Sequence, residues 1–182
     1  DVCSSDLLAT GARERPRSAR MVPGDRPSGV LTTGQLQSLV HLRHRDVGHR
    51  AVIVGSELVS WSAVMTLRET GCRIAAMVTT SPRVEAPAGV GMLGRAALGV
   101  PILTRTAVVR VVGRDHVEAV EVVQSDSGAR ARIPCDVVVF TGDWTPDSEL
   151  ARMRGLVIDD GYRGPVVDSA LRTSVDGVFA AG

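Results

Sequence analysis

Apolar residues fall into short continuous runs separated by glycine- and proline-marked turns, with helical periods among them. Ala51-Val52-Ile53-Val54 is apolar at every position and ends at Gly55, the pattern of a parallel strand covered on both faces. Residues 59–70 follow, with Val59, Ala63, Val64 and Leu67 at helical spacing, and stop at Gly71. Residues 73–78 read as a second strand. Strand, helix and strand in that order predict a β–α–β unit with a right-handed crossover and a parallel sheet. After a stretch punctuated by Pro and Gly at 82–91, residues 92–98 read as a short helix. Residues 100–104, 107–112, 117–123, 130–133 and 137–141 then read as strands. Turns at Gly113-Arg114-Asp115 and Ser125-Asp126-Ser127-Gly128 make the 107–133 portion an antiparallel meander, inserted before the last parallel strand.

The two ends are less regular. Residues 7–11 read as the end of a buried strand entering a glycine turn, and 12–30 as a loop carrying five Arg and three Pro. Leu36, Leu39 and Val40 give residues 35–42 the pattern of a short amphipathic helix, with Thr33 as its cap. Asp159-Asp160-Gly161 predicts a turn, and Asp168 closes another. Val166-Val167-Asp168 and residues 177–182 read as strand segments.

Size and composition narrow the function classes. At 182 residues and 44% hydrophobic, the chain can bury one or two cores. No apolar run approaches the ~20 residues of a membrane span, and no charged-then-apolar leader opens the chain, so a cytoplasmic protein is expected. A net charge of +1 from scattered basic residues argues against nucleic acid and membrane surfaces as partners. All 21 basic residues are arginine, with no lysine or asparagine, which is the codon signature of a high-GC bacterial genome. Asp1-Val2-Cys3-Ser4-Ser5-Asp6-Leu7 back-translates to GAC GTG TGC TCT TCC GAT CTN, which looks like a common sequencing adapter. Residues 1–7 are therefore expected to be an artefact. Cys72 and Cys135 stand far apart and read as small buried apolar residues. His41, His44 and His49 lack a nearby Cys or carboxylate cluster and read as solvated side chains; no metal site is expected.

Three segments end an apolar strand in small residues and a glycine: Leu8-Ala9-Thr10-Gly11, Val139-Phe140-Thr141-Gly142 and Phe179-Ala180-Ala181-Gly182. Such ends let a bulky ligand approach the backbone closely. Their order around a β–α–β unit resembles the FAD-dependent pyridine-nucleotide-disulfide oxidoreductase family. Ala9-Thr10-Gly11-Ala12-Arg13 resembles the strand by which that family leaves its FAD domain. Gly142-Asp143-Trp144-Thr145-Pro146-Asp147 resembles its Gly-x-x-Pro-Asn return, one residue longer and with Asp for Asn. Leu171-Arg172-Thr173-Ser174 and residues 177–182 match its terminal stretch.

The resemblance implies an α/β fold, with a Rossmann-like parallel sheet and inserted meander flanked by partial segments of an FAD-binding domain. Expected domains are 8–48, exit strand and connector; 49–145, an NAD(P)-binding-like domain; and 146–182, a truncated return. An internal fragment of a longer enzyme follows, with the flavin-binding acid or amide of the family lying just past Gly182. The implied activity is hydride transfer between NAD(P)H or an organic substrate and FAD, with a partner subunit or homo-oligomer. On the FAD side the implied residues are Ala9, Thr10, Gly11, Arg13, Gly142, Ala181 and Gly182. No catalytic residue is assigned, and no dithiol lies in the middle domain.

The nucleotide fingerprint departs from the family. Where G-x-G-x-x-G is usual, this chain reads Gly55-Ser56-Glu57-Leu58-Val59-Ser60. Glu57 stands where the second glycine lets backbone meet pyrophosphate. One like-charge pair at ~4 Å costs roughly 4 kcal/mol at an effective dielectric of ~20, unless Glu57 swings outward. Ser60 is a milder change. The second strand ends Met77-Val78-Thr79-Thr80, without the acid that holds the ribose of NAD, although Arg83 is near. Asp143, Asp147 and Glu149 are candidate carboxylates, read as helix-capping residues; Trp144 reads as packing. Pro23-Gly24, Gly29-Val30 and Thr32-Thr33-Gly34 resemble the connector of FAD-bearing subunits of amine, opine or amino-acid dehydrogenases that do not use NAD(P). A non-catalytic nucleotide-binding subunit keeping only the fold is the third reading.

Overall fold

A computed structural model describes residues 5–86 and 98–182. The chain divides into two compact units, Glu14–Gly142 and a smaller one made of Asp1–Arg13 with Asp143–Gly182. It begins with two short strands, β1 (Asp6–Leu8) and β2 (Ala12–Glu14). β1 was expected to be buried, but Leu7 is 64% exposed. Its sheet has only two strands, so little of either face is covered.

In the larger unit, residues 12–30 are not all loop, because Val30–Thr32 forms a strand, β3. Thr32 rather than Thr33 caps the helix that follows, α1 (Thr33–Gln37). Its hydroxyl accepts from the Gln35 amide at 3.4 Å, and the Gln35 side chain accepts from the Thr32 amide at 3.0 Å. This reciprocal pair satisfies two orphan donors at the helix start, which one cap at Thr33 would not. A π-helical turn, Ser38–Leu42, completes the predicted amphipathic stretch.

Then come β4 (Arg50–Val54), α2 (Leu58–Glu69) and β5 (Arg73–Val78), the expected β–α–β unit. α2 ends as Gly71 promised. Gly71 adopts φ +76°, its amide donates to Arg68 O, and the Cys72 amide donates to Leu67 O. That double closure is the Schellman motif, which glycine adopts without a Cβ penalty. The expected helix at 92–98 lies outside the described residues, save Leu98. After β6 (Ile102–Leu103), the strands β7 (Thr106–Val112), β8 (Ala119–Gln124) and β9 (Arg130–Pro134) form the antiparallel meander. β10 (Val137–Phe140) closes the parallel sheet, whose order is β3-β10-β4-β5-β6.

Continuous apolar runs are explained by two cores, one on each face of this sheet. Ala51, Ile53, Met77, Val137 and Val139 pack with Trp61, Val64 and Leu67 of α2. Val52, Ala76, Val78, Val138 and Phe140 pack with Val111, Val120 and Val122 of the meander. Alternate side chains of a strand point to opposite faces, so every position must be apolar when both are covered. The connector reaches this framework through glycines. Gly24 and Gly29 have φ +114° and +94°, and a Cβ on either would collide with backbone, Val111 O and Asp136 O respectively.

Cys72 and Cys135 are buried free thiols, as expected. Burial, with the Asp136 charge adding to it, pushes them up to about 11 and about 12. A thiol raised in the folded state stabilises fully below its unfolded value near 8.5, and the benefit fades as pH climbs toward 11–12. Stability from denaturant titrations should therefore fall above about pH 8.5, by roughly 1 kcal/mol per pH unit for each thiol. At pH 8 iodoacetamide should label neither Cys72 nor Cys135 until guanidinium unfolds the chain; rapid labelling of either in the native protein, located by peptide mass, would refute the assignment.

In the smaller unit, β11 (Trp144–Pro146) pairs with β2, and α3 (Glu149–Met153) follows. Val166–Asp168 is not a strand; only Ile158 and Pro165 bridge there. Asp160–Tyr162 turns as expected, with Asp159 Oδ1 accepting from the Gly161 and Tyr162 amides at 2.8 and 2.9 Å. β12 (Val178–Ala180) pairs in parallel with β1. Among the described residues, no helix is long and apolar enough to cross a membrane.

Candidate functional site

In the smaller unit the two strand–glycine ends at the chain's extremes meet. Leu8 lies in register with Ala180, and the Ala181 amide donates to Leu8 O at 3.0 Å. Thr10, Gly11, Ala181 and Gly182 consequently line one cavity of about 220 Å³, together with Ser148 and Gly164. Gly11 and Gly182 hold φ +68° and +119°, and a Cβ added to either would meet nothing within 4 Å. Both therefore present bare backbone to open space, a surface that a flat group can approach closely.

The return segment is fastened to the exit strand. Thr10 Oγ1 donates to Asp147 O at 2.6 Å, and the Asp147 amide donates to Gly11 O at 2.9 Å. Thr10 thus spends its hydroxyl on positioning. Arg13 ion-pairs with Asp147 at 3.2 Å and with Glu149. The hydrogen bond to Glu149, then the charge of Asp147, raises the arginine above its ordinary value. Beside it, the interaction with Glu149 raises Asp147, and the interaction with Asp147 and then Arg13 lowers Glu149. The expectation that Asp147 caps a helix is not met. Ser148 occupies the cap of α3, and its hydroxyl donates instead to Arg163 O at 2.6 Å. Trp144 is half exposed rather than packed. Asp168 does close a turn, and the Arg172 and Ala170 amides it accepts from lower it.

Gly142 lies in the larger unit, beside Gly55 and Glu57 at the carboxyl ends of the adjacent strands β10 and β4. Glu57 begins α2, and its side chain folds inward. Glu57 Oε2 accepts from Ser60 Oγ at 2.9 Å and lies 3.2 Å from Thr141 Oγ1, which is 2.7 Å from Ser60 Oγ. A Cβ at Gly142 would stand 2.5 Å from Glu57 Oε1, and one at Gly55 would stand 2.6 Å from Oε2. The outward swing that would relieve phosphate repulsion is not taken.

A second carboxylate adjoins the same turn. Glu85 Oε2 accepts from Ser56 Oγ at 3.3 Å, Oε1 accepts from Ser81 Oγ at 2.8 Å, and the Glu85 amide donates back to Ser56 Oγ at 3.2 Å. Sequence reasoning sought an acid at the end of β5 and missed Glu85, because the loop after Thr80 must fold back before it reaches the fingerprint. Arg83 is exposed. The residues of this crevice do not fit a pyrophosphate as they stand.

The family model for pyridine nucleotide-disulphide oxidoreductase matches residues 3–182. The chain belongs to that family. It is 32% identical over 182 residues to the ferredoxin–NAD(+) reductase component of a biphenyl dioxygenase system from Paraburkholderia xenovorans LB400, covering 97% of this chain and 42% of that protein. It is 36% identical over 170 residues to a ferredoxin–NADP reductase from Frankia casuarinae, covering 88% of this chain and 49% of the relative. The chain thus spans less than half the length of either. Among solved structures, thioredoxin reductase of T. acidophilum superposes with a TM-score of 0.76 at 20% identity, over 97% of this chain and 56% of that one. The NAD-dependent persulfide reductase of A. fulgidus gives 0.75 at 24%, over 98% and 33%. At these identities the likeness is one of fold, and the fold is the expected α/β arrangement of parallel sheet and inserted meander.

Proposed function

We propose that the complete protein is an FAD-dependent oxidoreductase that passes a hydride between a nicotinamide dinucleotide or an organic substrate and the flavin. The observation that carries this reading is the parallel pairing of β1 with β12. It gathers Thr10-Gly11 and Ala181-Gly182 around one cavity, in a chain of this family. Bound FAD supplies the two-electron chemistry. The chain contributes bare backbone at Gly11 and Gly182 for close approach, and Ala180 and Ala181 keep side chains small beside it. Arg13, already neutralised by Asp147 and Glu149, holds the return segment rather than a phosphate. The free, buried thiols of Cys72 and Cys135 suit a cytoplasmic location, and a partner subunit or second copy completes the proposal.

A second reading is favoured by one observation, the carboxylate of Glu57 within the fingerprint turn. It is an FAD-bearing subunit of an amine, opine or amino-acid dehydrogenase whose electrons do not come from NAD(P)H. Anaerobic additions to the purified complete protein separate the two. Bleaching of the flavin by NADH or NADPH supports the first; bleaching by an amine alone supports the second. A folded protein that takes up no FAD would leave only a non-catalytic subunit.

A further inference from the structure

In an open α/β sheet the ligand crevice lies outside the carboxyl ends of the strands, where a glycine turn bares its amides to phosphate at a helix start. Here that place is taken. The Glu57 carboxylate lies against Gly55 and Gly142, the turns that follow neighbouring parallel strands. Ser60 donates to it, and Ser56, Ser60 and Thr141 are almost wholly buried. A turn built to receive a ligand leaves such groups open; this one has satisfied them internally. Glu85 engages the remaining hydroxyl, Ser56, from the other side.

We propose that Glu57 is a built-in occupant of the dinucleotide crevice: its carboxylate takes the position of the pyrophosphate and excludes NADH and NADPH from this unit. The two effects act together. The side chain fills the space that a second glycine would leave free, and its charge repels the incoming phosphates. Glu57 supplies, from within, the acceptor for the buried Ser60 hydroxyl, while Thr141 Oγ1, 3.2 Å from the carboxylate, also reaches Val54 O at 3.1 Å. The inference rests on the reading of the complete protein as a flavoenzyme, and within that reading it selects the organic substrate rather than a nicotinamide dinucleotide as the source of the flavin's reducing equivalents.

Binding of NADH and NADPH to the complete, FAD-loaded protein, followed calorimetrically, tests it with wild type beside E57G and E57S. Glycine restores the close approach, while serine clears the crevice and is a favoured residue at the N-cap position that Glu57 occupies without a cap hydrogen bond. The wild type should show a dissociation constant weaker than about 1 mM, and both variants should bind at least about tenfold tighter. Micromolar binding by the wild type would overturn the proposal. So would unchanged affinity in a variant with native circular dichroism and full FAD content. Should E57G fail to fold, E57S decides by the same criteria. Failure of the flavoenzyme reading is separate, since it would appear as absence of FAD in all three proteins whatever their nucleotide affinity.

Discussion

Phe140→Ala is expected to destabilise the Glu14–Gly142 unit by about 3–5 kcal/mol. Phe140 is 1% exposed and sits on β10, which is hydrogen-bonded to β3 on one side and β4 on the other. Its ring packs between sheet and meander with Val52, Val78 and Val120, a place that solid secondary structure surrounds. Such a site cannot collapse readily around an alanine, so the cavity adds to the lost burial. The Arg20 guanidinium lies 5.5 Å from the ring centroid, a contribution of only about 0.5–1 kcal/mol. Burial dominates. Against a total stability of about 5–15 kcal/mol, the loss is severe. Phe140→Leu, which keeps most of the volume, should cost much less. Guanidinium unfolding of the three proteins checks both statements, and a change below about 1 kcal/mol for the alanine variant would contradict the packing described.

The second large effect concerns the flavin surface. Ala181→Leu in the complete protein should lower FAD affinity at least about tenfold, or by about 1.4 kcal/mol. Ala181 lines the cavity beside Gly11 and Gly182, and its amide is fixed to Leu8 O, so its backbone cannot retreat to make room. An isopropyl group placed there occupies space that the bare glycines keep open. The change leaves the strand pairing itself intact, and circular dichroism should be native. Equilibrium dialysis against FAD measures the effect. Unchanged affinity would remove the cavity from the account.

Much of the larger unit was legible in the chain itself. Runs such as Ala51–Val54 and Val137–Phe140 have no polar position to spare, and only a sheet covered on both faces requires that. Gly71 marked the end of α2 for a reason local to residues 67–72. β3 was hidden because Val30–Thr32 is too short to show a period, and it is fixed by pairing with β10 over a hundred residues away. Val166 and Val167 misled for the opposite reason: their composition suits a strand, but no partner strand lies beside them among the described residues. At the candidate site, the small-residue ends at Gly11 and Gly182 were visible as a pattern. That they adjoin was not, since only the pairing of β1 with β12 brings them together. Glu57 was visible as an anomaly, but its inward conformation depends on Ser60 and Thr141, and Glu85 depends on a folded-back loop. Side-chain direction and loop return are long-range outcomes that no local pattern encodes.

The central claim is that the glycine ends of β1 and β12 form part of an FAD site in the complete protein. Its most direct test is the cofactor content of the purified complete gene product, read from its visible spectrum and from the flavin released on denaturation. The account predicts a yellow protein carrying one FAD per chain. A folded, colourless protein that takes up no FAD from excess would contradict it.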